Sequence, residues 1–176
     1  MTPIPDDLLP QAAAMWWAAF GRAARPLWPG RVPEADGTRG LVAVDGGRVV
    51  GVTGLRDAGG GFLQVSPDLL APLFRAAPPT ADLVIDGIMV DPMLRRGGVG
   101  CAMIGLAARL AAERGHSGLR AEVALRNDGA VAFWRAMGFA ETARGRFGWP
   151  WGGQVLVMRR AGPGALPPPP LAGPPG

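Results

Sequence analysis

The chain of 176 residues has no lysine and no tyrosine, and it carries one cysteine and one histidine. One cysteine, Cys101, excludes an internal disulfide framework and any multi-cysteine metal site. One histidine, His116, excludes paired-histidine metal chemistry, and its place after Gly115 suits a solvated loop. No metal is expected. Without lysine there is no P-loop, which needs Gly-x4-Gly-Lys-Ser/Thr. All eighteen basic residues are arginine and the net charge is only +4. The sequence pI of 11.1 therefore overstates the basicity, because arginine does not titrate near neutrality. Basic and acidic residues are interspersed with no basic block, a pattern that argues against nucleic-acid binding. The apolar run from Ala12 to Phe20 is too short to span a bilayer. No basic residue precedes Arg22, unlike a secretory leader. A cytoplasmic protein with no membrane partner is expected.

Length and a hydrophobic content of 48% predict one domain, placed over residues 1–160. From residue 161 to 176 the chain is Ala, Gly, Pro and Leu only. Such a tail cannot pack a core and is expected to be disordered or PPII-like.

The stretch from Asp86 to Gly100 organises the rest. It reads as an apolar strand, a turn and a glycine-rich loop opening directly into a helix. Val99, Met103, Leu106 and Leu110 lay one apolar stripe along that helix, and Gly115 stops it. The first turn of a helix has unpartnered N–H groups and a partial positive charge. Glycines there admit an anion and Arg95 and Arg96 add charge, so a phosphate-bearing ligand fits. A dinucleotide fingerprint would want a third glycine where Met103 stands, which weakens that reading.

Around this stretch, residues Asp7 to Ala24 form a helical candidate with Leu8, Met15, Trp16, Ala19, Phe20 and Ala23 as its stripe. Trp16 and Trp17 are adjacent and cannot both face a core; one lines a cleft or packs half-exposed. Pro26 to Gly37 reads as loop. Leu41 to Val44 and Arg48 to Leu55 read as strands joined by the hairpin signal Asp45-Gly46-Gly47. Residues Asp57 to Gly61 break the pattern. Ser66 and Pro67 open a short helix whose apolar residues are Leu69, Leu70, Leu73 and Phe74. Leu83 to Val90 is apolar on both faces apart from Asp86, as in a strand buried from both sides. Leu119 to Leu125 is the next strand, and the helix between the two predicts a right-handed crossover with parallel pairing. Asn127 caps a further helix that Gly138 closes. Phe139 to Phe147 and Gln154 to Arg159 complete the sheet as a hairpin with Trp149 and Trp151 in its tip. Gly87, inside an otherwise continuous strand, marks a bulge that would splay the strand from its neighbour.

The pattern Arg-x-x-Gly-x-Gly, met by Arg95, Gly98 and Gly100 after a strand ending in Val90, resembles the acyl-coenzyme A signature of the GNAT superfamily of N-acetyltransferases. The run Asn127 to Phe139, with an Asn, a small-residue helix, two aromatics and Gly-Phe, resembles that family's second motif. The resemblance implies an α/β fold with a mixed, mostly antiparallel central sheet, a splayed parallel strand pair and flanking helices. It implies acetyl-CoA as cofactor, with its pantetheine arm along Ile88, Met89 and Val90. The pyrophosphate would lie on Arg95, Arg96, Gly97, Gly98, Val99, Gly100 and Cys101, with Asn127 touching the arm or bracing the loop. The reaction implied is direct attack of a neutral amine on the thioester, through a tetrahedral oxyanion.

An amine is mostly protonated at neutral pH, so a base is needed. Asp86 is one candidate: placed on a strand face with Val84, Ile88 and Val90, its pKa should rise. The alternative is that Asp86 simply bonds to backbone at the bulge or to an arginine. Glu122, on the polar face of the next strand, is the second candidate. Many members of the resembled family place a tyrosine acid where Trp134 stands, and an indole N–H is a donor but no usable acid. Either the thiolate leaves unaided, near its ordinary pKa of about 8.5, or the fold keeps the cofactor without catalysis. Cys101 is a reactive thiol or a small filler. Trp149 and Trp151 stack on an acceptor or pack across a homodimer interface. The expected function is acetyl transfer from acetyl-CoA to a primary amine of a small-molecule acceptor. Peptide or protein N-acetylation and a silent acyl-CoA-binding module are the alternatives.

Overall fold

The computed structural model describes residues 1–21, 32–64 and 71–162. Part of the loop expected after Pro26, the cap at Ser66 with Leu69 and Leu70, and the tail from 163 onward lie outside the described residues. The elements are α1 (Leu9–Phe20), β1 (Gly40–Asp45), β2 (Arg48–Asp57), β3 (Gly60–Gly61), β4 (Leu83–Val90), α2 (Val99–Glu113), β5 (Gly118–Ala124), α3 (Asp128–Ala136), β6 (Ala140–Gly145) and β7 (Val155–Ala161). One seven-stranded sheet runs in the order β1-β2-β4-β5-β7-β6, with β3 pairing β2 off that path. Among the described strands only β4 and β5 pair in parallel, joined by the α2 crossover. The sheet is therefore mixed and mostly antiparallel, with helices on both faces. No described helix is long and apolar enough to cross a membrane.

Local chemistry explains most boundaries. Gly46 and Gly47 both have positive φ, at 53° and 79°, the two-residue turn that matches strand twist. Gly115 and Gly138, with φ of 76° and 81°, follow the ends of α2 and α3. Asn127 caps α3 by accepting from the Ala130 N–H at 3.1 Å. Helix α1 departs from expectation at its start: Leu8 is its N-cap, and Asp6 and Asp7 stay in the preceding turn. Pro10 in the first turn explains this, since the ring needs no N–H partner there. Strand β3 was not expected either. Its two glycines fold back to pair Arg56 with Gly61 and Asp57 with Gly60.

The core has a layer on each sheet face. Against α2 and α3 lie Leu55, Leu83, Ile85, Ala121, Val123 and Met158. Against α1 lie Val42, Val49, Val52 and Phe62. Trp17 takes the buried place at 7% exposure, and Trp16 packs half-buried against Phe20 and Phe62. Leu73 and Phe74, expected to pack a short helix, are half-exposed. Arg75 exchanges backbone hydrogen bonds with Gly148, which holds Phe74 edge-on to Trp149.

A buried ion pair ties β4 to β7 across β5. Asp82, just before β4, accepts from Arg159 Nε at 2.7 Å and Nη2 at 2.9 Å, and from the Thr80 hydroxyl at 2.9 Å. Its side chain is 3% exposed. Removing one partner of such a pair strands the other charge, at about 3 kcal/mol or more. Asp82→Ala is thus expected to lower Tm by roughly 6–12 °C in thermal melts, using about 2–4 °C per kcal/mol for a chain of this size.

Candidate active site

The site begins with a miscount between two strands. In the β2–β4 ladder Gly54 faces Gly87 and Leu55 faces Ile85, so Asp86 is the extra residue of a bulge. The bulge falls where Gly87 suggested. Aromatic rings at the end of α1 explain why both paired residues are glycine. A Cβ on Gly54 would lie 2.7 Å from Trp16 Nε1, and one on Gly87 would lie 2.7 Å from the Phe20 ring.

The extra residue reverses the facing of everything after it, since a one-residue slip exchanges the two sheet faces. Asp86 does not share a face with Ile88 and Val90, as unbroken alternation had suggested. Ile88 and Val90 pack on the α2 side and Met89 on the α1 side. Asp86 instead pairs with Arg56, which neighbours Val84 in the ladder.

Beyond the bulge the sheet opens. The β4–β5 ladder consists of Leu83–Leu119, Val84–Arg120 and Ile85–Ala121. Past those pairs the strands diverge around a cleft of about 870 Å³. Ile88, Met89 and Val90 line it while still pairing with Thr53, Val52 and Gly51 of β2 on their other edge. Glu122 lines it from β5, and Asn127, Ala130, Phe133 and Trp134 from the α3 side.

The loop from β4 to α2 forms one end of the same cleft. Asp91 fixes its start: its N–H donates to Val50 O, and its carboxylate accepts from Met93 N and Arg48 Nη2. Arg96 and Gly98 then take left-handed backbone, with φ of 65° and 82°. Gly98 is the N-cap of α2 and brings no capping side chain. The helix ladder starts with Ala102 N–H to Gly98 O, so the amides of Val99, Gly100 and Cys101 point out of the helix end. Arg95, Arg96, Gly98, Gly100 and Cys101 all line the cleft. Gly97 closes the turn through its N–H to Leu94 O, and Val99 packs its side chain on the core.

A charged array crosses the open end of the strands. Arg56 Nε donates to Asp86 Oδ1 at 2.8 Å, and Arg56 Nη2 lies 3.3 Å from Glu122 Oε1. Buried Arg120 brings its Nη2 to 3.0 Å from the same Glu122 oxygen and donates through Nη1 to Pro78 O. Burial pushes the Asp86 carboxyl up, the Arg56 guanidinium pulls it partly back, and the Glu122 charge adds to the rise. The net direction is upward. Its other oxygen, Oδ2, faces Gly61 of β3, where a Cβ would come within 3.2 Å. Arg56 had no signal in the sequence beyond ending an apolar strand, and its partners become visible only once β2, β4 and β5 are side by side.

Trp134 is 5% exposed, wedged edge-on between Phe133 and Phe139 at 5.2 and 4.8 Å. Cys101 is exposed. Trp149 and Trp151 stack on one another at 5.4 Å with rings 5° from parallel. The aromatics that line the cleft are Phe20, Phe133 and Trp134.

Solved structures share this fold at low identity. Ard1 from Thermoplasma volcanium aligns at a TM-score of 0.57 and 20% identity, over 92% of this chain and 94% of that one. A ribosomal-protein-alanine N-acetyltransferase from Brucella melitensis aligns at 0.58 and 18%, over 90% and 96%. Naa20 of Chaetomium thermophilum, in complex with a bisubstrate analogue, aligns at 0.54 and 18%, over 93% and 85%. No curated protein sequence matches the chain. The profile of the Acetyltransferase (GNAT) family matches residues 9–139, from the start of α1 through the bulge, the glycine loop and α3. With a splayed parallel pair in the sheet and a glycine-opened helix at its edge, the chain belongs to the GNAT acetyltransferase family and is an acyltransferase.

Proposed function

We propose that the cleft holds acetyl-CoA and that the protein transfers its acetyl group to a primary amine of a small-molecule acceptor. The observation that carries this reading is one strand serving two purposes. Past the bulge, β4 offers a backbone edge to an extended amide arm, and it ends at a helix terminus whose amides suit a diphosphate. The fit is steric as well: Gly98 has nothing within 4 Å of where a Cβ would stand, and Arg95 and Arg96 border the same space. Bound acetyl-CoA supplies an acyl group activated as a thioester. The protein's own groups do the rest. The first-turn amides and the two guanidinium groups bind the anion, and the β4 edge sets the depth of the arm. Asp86, ionised, takes the proton of the incoming ammonium, with Glu122 as the second carboxylate in reach of the cleft. Trp134 contributes packing and at most an N–H donor. The uncharged Phe20 ring and the carboxylates line the same cleft, which suits a cation on a small apolar body. A cytoplasmic setting accompanies this reading.

Thermal shift with acetyl-CoA, run beside thiol release over a panel of small amines and N-terminal peptides, tests it. Occupancy at about 100 times Kd gives roughly 2.7 kcal/mol, a Tm rise of about 5–10 °C. Thiol release is expected with small amines. Release with peptides alone would instead favour protein N-acetylation, the activity named for the Brucella melitensis enzyme. Stabilisation without release for any amine would favour a silent binder. No stabilisation by any acyl-CoA would remove the reading.

A further inference from the structure

We propose that Arg56 is a positioning residue of the transfer reaction, its guanidinium clamping Asp86 of β4 to Glu122 of β5 across the open end of the splayed strands. The clamp rests on the reading of Asp86 as the proton acceptor and adds to it the residue that sets its orientation and charge.

Three observations converge. Arg56 stands on β2 and reaches past the bulged strand to a carboxylate on β5, at 2.8 Å from Asp86 and 3.3 Å from Glu122. Those two carboxylates sit just beyond Ile85 and Ala121, the last residues the β4–β5 ladder joins. The clamp therefore bridges the strands where backbone pairing stops. It also occupies one Asp86 oxygen, Oδ1, through the directional Nε–H donor, which fixes the carboxylate's rotation and leaves Oδ2 outside the ion pair.

The charges around Asp86 can be named element by element. Among the described residues, β2 supplies Arg56, and β5 supplies Glu122 with Arg120 behind it. Strand β3 presents Gly61, and α1 presents the neutral Phe20 ring over Gly87. Arg56 is the cation bonded directly to Asp86 and Glu122 is the anion across from it. Burial disfavours the charged carboxyl, and Arg56 is the group that partly offsets that burial. Glu122 has a second cation beside it, Arg120, whose Nη2 lies 3.0 Å from its Oε1.

The test compares wild type with Arg56→Gln and Arg56→Lys. Two readouts are followed: the pH profile of kcat/KM, and the titration of Asp86 by NMR of 13C-labelled aspartate. An adjacent arginine lowers a carboxyl pKa by about one to three units. In Arg56→Gln the Asp86 midpoint is therefore expected about one unit higher, with the acidic limb of kcat/KM moving alongside it. At pH values below that limb the variant should be about tenfold slower. KM for acetyl-CoA should hold, and Arg56→Lys should restore most of the shift. An Asp86 midpoint unchanged in Arg56→Gln would overturn the proposal. So would a uniform loss of rate at every pH with the limb in place, which marks a merely structural residue. The NMR titration needs no turnover. If wild type releases no thiol for any amine yet the Asp86 midpoint moves, the transfer reading fails and takes Arg56's part in transfer with it, while the hold of Arg56 on the Asp86 charge is kept.

Discussion

Asp86→Asn is expected to lower kcat/KM for amine acetylation by about 10²–10⁴-fold, the usual contribution of a positioned acid or base. The substitution is nearly isosteric, and the amide oxygen can still accept from Arg56 Nε, so the clamp geometry survives in large part. What disappears is basicity. The sign of the pH dependence follows from the direction of the shift. Asp86 titrates above an ordinary aspartate because burial outweighs the pull of Arg56. Activity should therefore rise with pH as the carboxyl loses its proton, and fall as pH drops through that raised pKa. The asparagine variant should lack that limb altogether. Stabilisation by acetyl-CoA should persist, since the glycine loop is untouched. An unchanged rate and profile would remove Asp86 from the mechanism and leave Glu122 as the carboxylate to examine.

Gly100→Trp is expected to weaken acetyl-CoA binding at least about 100-fold, erasing a thermal shift of roughly 5–10 °C. The two glycines of the loop behave differently, and the difference makes the experiment clean. At Gly98 the backbone is left-handed, with φ of 82°, so any side chain strains the folded chain by about 1–2 kcal/mol. At Gly100 the backbone is ordinary helix, and the nearest neighbours a Cβ would meet are the Phe133 ring at 3.5 Å and Ile88 Cδ1 at 3.9 Å, normal contact distances. The unliganded protein should thus tolerate Gly100→Trp, with the indole filling the cleft that Gly100 lines. A Tm near that of wild type without ligand, and no rise on adding acetyl-CoA, is the expected pair of melts. A retained rise would mean that the diphosphate lies elsewhere.

Strand β4, helix α2 and helix α3 were legible because each has a strong local pattern and a glycine or asparagine at its end. Leu83 and Val90 bound the strand as the apolar run indicated, and Val99 begins α2 as its stripe indicated. Gly87 carried the bulge in its lack of a side chain. The consequences of the bulge were harder to read. The reversal of Ile88 and Val90 is a property of register, which depends on Gly54 and Leu55 more than thirty residues upstream. Strand β3 is two glycines with no periodicity to show. Arg56 looked like the polar end of an apolar strand, because its partners come from two other strands. A single chain gives the residue types at the site, and the pairing of distant strands supplies the contacts among their side chains.

Among the described residues the ion pairs are made by guanidinium groups, including Arg39 with Asp36 and Asp57, Arg56 and Arg120 at the cleft, and Arg159 with Asp82. An ammonium in any of these places would be a nucleophile whenever it lost its proton, whereas guanidinium keeps its charge and does not attack a thioester at neutral pH. With no lysine in the sequence, the framework has no side-chain amine to lose to a reactive acyl donor. The scaffold is therefore chemically deaf to the group that its cleft is proposed to hold.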